Sequence, residues 1–142
     1  MDTSVVLARL FAEDRSPPDD LWSQTLVASR LLEFEVFNRL HARAAAATHG
    51  NDARQLVDRI NLVEMSGPVL ARALLPFTLP VRTLDALHLA TMAFLREQGL
   101  TPALATYDQR MAAAAVSEGF ALADFYCLGS PRTPDVDVCW RG

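Results

Sequence analysis

"TLDALHLATMAFLREQGLTPALATYDQRM", residues 83–111, reads as helix, strand and helix in immediate succession. Thr83 opens a run of helical apolar periodicity that Gly99 stops. "PALAT" (102–106) is a short apolar strand, and Asp108 caps a helix that Gly119 ends. Upstream, "SGPVLARALLPF" (66–77) suits a helix with proline in its first turn. "NLVEM" (61–65) and "TLVAS" (25–29) are strand candidates. Between those two, Ser29 caps a helix over 30–47 that stops before a "THGND" turn, and a further helix runs from Asn51 or Asp52 to about Ile60. "RSPPDD" (15–20) is a loop by its prolines and aspartates, and 4–11 forms a first helix capped by Thr3 or Ser4. "FALAD" (120–124) is a last strand. Strands alternating with helices predict an α/β fold with a parallel sheet and right-handed crossovers.

The chain has 142 residues, enough for one domain with a core of its own. Hydrophobic residues make up 51% and charged residues 21%, the balance of a compact globular protein. No apolar run approaches the roughly 20 residues of a membrane span, and the N-terminus lacks the pattern of a signal peptide. A cytoplasmic location is the expectation. Residues 127–142, rich in proline and aspartate, read as an irregular extension of a domain over 1–126. Its Cys127 and Cys139 have no ligand spacing around them and are expected as free thiols. Trp140 has no assigned role. The net charge is −4 and all 13 basic residues are arginine. That balance argues against broad nucleic-acid binding through a basic surface, but not against a nuclease whose metal offsets a local acidic cluster.

Carboxylates at strand-to-helix junctions deserve weight, because ligands gather beyond the carboxyl ends of parallel strands. Asp108 and Asp2 both stand at such junctions, and each is equally readable as a helix cap. Asp85 falls on an apolar arc with His88, Leu89 and Met92, where a carboxylate must be paired, protonated or metal-bound. Arg82, three residues earlier, is its obvious ion-pair partner. Glu35 lies between Leu31 and Leu32 on the helical wheel, and Glu33 is similarly flanked by Phe37 and Leu40. Periodicity does not choose between them.

As a set, "DTSVVLARL" (2–10), "SRLLEFEVFNRL" (29–40), "VRTLDALHLATM" (81–92) and "TYDQRM" (106–111) resemble the PIN-domain ribonucleases, specifically the VapC-like toxins of bacterial toxin–antitoxin pairs. The resemblance implies a three-layer, Rossmann-like fold with a central parallel sheet between helices. It also implies a metal-dependent endoribonuclease that hydrolyses RNA phosphodiester bonds with a water activated by Mg²⁺ or Mn²⁺. Asp2, Glu35, Asp85 and Asp108 would be the catalytic, metal-binding carboxylates. Glu35 is selected over Glu33 because the family's acidic residue precedes a V-x-x-x-L segment. Ser4 and Thr106 match hydroxyl positions that accompany the first and last aspartates. Arg82 and Arg110 would contact RNA phosphates or pair with the acidic cluster. An antitoxin protein, an RNA substrate and a second copy in a homodimer are the implied partners.

Elementary chemistry agrees with that ligand set. Clustered carboxylates repel one another unless a divalent cation enters, and an all-oxygen site suits Mg²⁺ or Mn²⁺. His88 is then a packed or supporting residue, not a ligand. The family also carries an apolar strand ending at its first aspartate, in the middle of the sheet. Here Met1 directly precedes Asp2, so that strand is expected to be missing, leaving buried strand edges unpaired. Two other classes were weighed. One is a PIN-like binding module without catalysis. The other, a phosphatase with an aspartate nucleophile, is disfavoured because Ser4 replaces the second aspartate and the chain has no lysine.

Overall fold

The structure is a computed structural model that describes residues 1–12 and 16–123. It is a three-layer α/β arrangement of six helices and four short parallel strands: α1 (Thr3–Leu10), β1 (Val27–Ser29), α2 (Leu31–Ala42), α3 (Ala46–Val57), β2 (Asn61–Val63), α4 (Gly67–Ala73), α5 (Thr83–Glu97), β3 (Ala103–Leu104), α6 (Gln109–Ser117) and β4 (Ala121–Leu122). A 3₁₀ turn at Asp19–Ser23 connects α1 to β1. The tail with Cys127, Cys139 and Trp140, read as an extension, lies outside the described residues. Among them, no helix is long and apolar enough to cross a membrane.

The helices carry the expected sequence signals, with two departures. Gly99 (φ 84°) and Gly119 (φ 78°) end α5 and α6 in the left-handed conformation that glycine adopts without penalty. Pro68 stands in the first turn of α4, where its missing N–H costs no hydrogen bond. The first departure is the turn expected at 48–52. Those residues lie inside α3, and the chain breaks instead at Ala44, whose φ is 52°. The amide of Ala44 donates to the carbonyl of His41 (3.0 Å) and that of Ala45 to Leu40 (2.9 Å), which closes α2 with the two bonds of a Schellman motif. Alanine holds the position glycine usually marks, at a cost of about 1 kcal/mol. Gly50, the apparent stop, sits in a helix interior. The second departure is the cap of α1. Asp2 fills it, its carboxylate accepting from the Ser4 amide, while Thr3 and Ser4 belong to the helix.

The parallel sheet forms as two pairs, β1 with β2 and β3 with β4. These pairs do not hydrogen-bond to each other. Met1 and Asp2 lie between them: the Met1 nitrogen donates to the Val27 carbonyl (2.7 Å) and the Asp2 amide to the Ala105 carbonyl (2.8 Å). Two apolar clusters match this division. One packs Val5, Val6, Leu32, Val36 and Leu40 from α1 and α2 with Ala53 and Val57 from α3 against Ala28 of β1. The other packs Leu89 and Met92 of α5, Met111 and Ala115 of α6 and Phe120 around Leu104 of β3. The bridging residues 1–2 therefore stand where the two halves meet, at the carboxyl ends of β1 and β3. That is where a site is expected in such sheets.

Candidate active site

Asp2 is a buried carboxylate, 8% exposed, and a carboxylate there needs donors. It finds three on one oxygen. The Ser4 amide (3.2 Å), the Ser4 hydroxyl and the Thr106 hydroxyl (2.8 Å) all reach Oδ2. Each hydroxyl has one proton, and each spends it on Asp2. Their oxygens then accept from the opposite junction: Ser4 Oγ from the Tyr107 amide (2.9 Å) and Thr106 Oγ1 from the Asp108 amide (3.0 Å). Two side chains 102 positions apart thus clamp the first turn of α1 to the loop between β3 and α6. Ser4 and Thr106 accompany the aspartates as the resemblance implied.

Asp108 opens α6. Its Oδ1 accepts from the amides of Arg110 (2.8 Å) and Met111 (3.2 Å), so the capping reading is correct. That role engages one oxygen and leaves Oδ2 facing Arg82, whose guanidinium nitrogen lies 4.0 Å away. Sequence reasoning had paired Arg82 with Asp85. Arg82 instead lies just before α5 with an extended backbone, within ion-pair distance of Asp108, though its charge also favours the ionised form of Asp85. No side-chain contact of Arg110 is observed among the described residues.

Glu35 and Glu33 have different fates. Glu33 joins Arg30 and Glu64 in an exposed ion-pair group. Glu35 turns inward, and its Oε2 accepts from Thr3 Oγ1 (2.5 Å) and pairs with His88 Nε2 (2.9 Å). His88 is 4% exposed and reaches Glu35 from α5, the supporting place expected of it. Burial alone would raise the Glu35 pKa. The hydrogen bonds from His88 and Thr3, with the positive charge of Arg39, outweigh it and hold the carboxyl below its ordinary range. Thr3 was missed as a site residue, because a hydroxyl in a first helical turn reads as a cap.

Asp85, in the first turn of α5, accepts no hydrogen bond among the described residues. Burial, then the neighbouring charges of Asp108 and Asp2, push its pKa up, against the smaller opposing pull of Arg82 and His88. The four carboxylates line a single cleft of about 440 Å³, together with Thr3, Ser4, Arg39 and Arg82. They come from four places in the chain: the start of α1, the middle of α2, the first turn of α5 and the cap of α6.

This donor set fits a hard divalent cation. It is all oxygen, offers four carboxylates, and includes one, Asp85, destabilised as an anion by two of the others. Among the described residues no three acidic, histidine or cysteine side chains are gathered tightly enough to form a finished cage. The physical reason is visible in the contacts: without a cation the anions repel, and three of them are held apart by their own hydroxyl, amide and imidazole partners.

A family model of the PIN domain matches residues 1–117. The chain belongs to the PIN-domain family. Ribonuclease VapC47 of Mycobacterium tuberculosis (strain CDC 1551 / Oshkosh) is 32% identical over 132 residues, covering 87% of this chain and 93% of that relative. No solved structure gave a significant match. This PIN domain therefore carries its four candidate acidic residues within the matched region, on a scaffold whose parallel strands and helices agree with the family assignment.

Proposed function

We propose that this PIN-domain chain is a metal-dependent endoribonuclease, acting in the cytoplasm as the toxin of a toxin–antitoxin pair. The observation that carries the reading is the convergence of Asp2, Glu35, Asp85 and Asp108 on one cleft, beside the similarity to a protein named as a ribonuclease. Those four side chains would hold Mg²⁺ or Mn²⁺. A bound ion of this kind lowers the pKa of its water and stabilises charge on phosphate.

The chain's own groups have distinct tasks in this reading. Ser4 and Thr106 fix the Asp2 carboxylate by donating to Oδ2, which leaves Oδ1 directed to the cleft. Thr3 and His88 fix Glu35 in the same one-sided manner through Oε2. Asp85, unhindered by hydrogen bonds, is the carboxylate most responsive to a cation. Arg82, 63% exposed in its side chain at the cleft edge, is placed to hold an RNA phosphate, which a guanidinium grips in bidentate fashion. Arg110 serves the same phosphate-binding role less directly. Exposed Leu70, Leu74, Leu75 and Leu79, on and after α4, support a protein-binding face for an antitoxin or a second copy in a homodimer. The domain would extend over 1–126, with 127–142 as an appendage.

The test is cleavage of a mixed-sequence RNA by purified protein with Mn²⁺ or Mg²⁺ and with EDTA. Wild type should cut only with metal, and Asp85→Asn or Asp108→Asn should reduce cutting at least 100-fold. Mutants that cut as well as wild type would sink the site assignment. The absence of a finished cage among the described residues favours one alternative, a PIN scaffold that binds a partner without cutting. Calorimetric titration separates the two, since Mn²⁺ binding that depends on Asp2 belongs to the nuclease.

A further inference from the structure

A second cavity of about 300 Å³ lies between the two strand pairs and shares no lining residue with the carboxylate cleft. Its sides are the backbone of 24–29, leading into and through β1, and of 101–105, leading into and through β3. Its remaining lining is largely apolar: Leu21, Leu26, Met92, Leu95, Leu104 and Met111. At its inner end stand Met1 and Asp2.

The hydrogen bonds there have the pattern of a strand threaded between two parallel neighbours. Successive residues of a strand point their amides to opposite sides. Met1 donates to Val27 of β1 and Asp2 donates to Ala105 of β3. Leu26 and Leu104 turn their carbonyls outward, to Asn61 and Ala123, so by alternation Thr25 and Val27, and Ala103 and Ala105, face the cavity. Extending the register back by two residues on each side assigns the next acceptors. A residue joined to Met1 would donate to the Ala103 carbonyl, and the one before it to the Thr25 carbonyl.

We infer that this slot receives an extended apolar segment of about four residues, joined to the Met1 nitrogen by a peptide bond and running parallel to β1 and β3 at ~3.3 Å per residue. Such a segment unites the two pairs into one five-stranded sheet. Three observations select a covalently joined occupant. The Met1 nitrogen already holds a strand amide's place in the register. It is buried, so a free ammonium there is desolvated at a cost that an amide does not bear. A separate strand would also end in a carboxylate at that point, adding a second charge to the apolar slot.

The experiment compares three full-length chains: one with Val-Ile-Val-Leu directly before Met1, one with Ser-Asn-Ser-Gln, and one unextended. The apolar extension should raise Tm by roughly 5 °C or more and slow amide exchange at Val27 and Ala105 at least tenfold. The polar one should do neither. A Val-Ile-Val-Pro extension, lacking the amide for Ala103, should recover only part of the gain, which distinguishes strand pairing from greasy packing. Equal effects of apolar and polar extensions, or unchanged exchange at Val27 and Ala105, overturn the inference. Equal protection by the free blocked peptide at the same concentration overturns the covalent occupant. None of these readouts depends on RNA cleavage.

Discussion

Replacing Thr106 by valine tests the clamp around Asp2. The Thr106 side chain is fully buried, and valine keeps its shape, so no cavity opens. What disappears is one hydroxyl with two bonds, one donated to the Asp2 carboxylate (2.8 Å) and one accepted from the Asp108 amide (3.0 Å). A hydrogen bond to a charged group contributes about 1.5–3 kcal/mol, and an orphaned amide adds up to about 1 kcal/mol. The amide term is kept small because the Asp108 side chain is 33% exposed and water can reach that junction. The sum, about 2–4 kcal/mol, corresponds to a Tm loss of roughly 4–16 °C for a domain of this size. Thermal melts of metal-free protein at pH 7 measure it. Thr106→Ser, which retains the hydroxyl, should recover more than half of the loss. If the valine variant melts within about 1 °C of wild type, or the serine variant is equally unstable, the clamp does not hold Asp2 as described. Because Thr106 also orients Asp2, its valine variant should bind Mn²⁺ about 10–100-fold more weakly.

Other outcomes follow from the same contacts. Asp85→Asn should slightly raise the Tm of metal-free protein at pH 7. The Asp85 pKa is raised in the fold, so the stability its protonated form contributes is complete below its ordinary 3.8 and lost as pH rises through the raised value. The same variant should abolish any Tm increase on adding Mn²⁺, and scanning fluorimetry with and without EDTA reads both effects. Glu33→Gln should leave cleavage unchanged and shift stability by less than about 0.5 kcal/mol, since its ion pair is exposed. Glu35→Gln should lose cleavage, and parallel assays of the two decide between the glutamates. Glu118 accepts from the Thr78 amide (2.7 Å) and Arg72 (2.8 Å). Chiefly through the Thr78 amide, its pKa is lowered, so its contribution is complete above its ordinary 4.5 and lost as pH falls through the lowered value. Glu118→Gln should therefore lower Tm at pH 7, with the gap from wild type closing in acid melts.

Much of the scaffold was legible from local chemistry. The apolar period of 83–97, the glycines at 99 and 119 and the aspartate at 108 act within one turn of their own positions, so sequence alone placed α5, β3 and α6. The break between α2 and α3 was not legible. It depends on an alanine held in a left-handed conformation, whose strain is tolerated because Leu40 on one side and Ala53 and Val57 on the other are packed in a common core. Gly50 gave a false signal there, since a helix of favourable residues tolerates one glycine.

The candidate site divides along the same line. Residue types and spacing made Asp2, Asp85 and Asp108 visible, because a carboxylate at a strand-to-helix junction or on an apolar arc needs a partner. The choice of Glu35 over Glu33 came from resemblance, for the helical wheel left both open. Tertiary structure gives the physical ground: Thr3 from α1 and His88 from α5 both reach Glu35, while Arg30 and Glu64 take Glu33 to the surface. The clamp on Asp2 joins residues 102 and 104 positions away, and local propensity has no term for such pairings. Sequence by itself determined which carboxylates the chain could offer and which helices carry them. Only the packing of α1, α5 and the β3–α6 junction around residues 1–2 decided that four of them share one cleft, because convergence depends on distances that no local periodicity encodes.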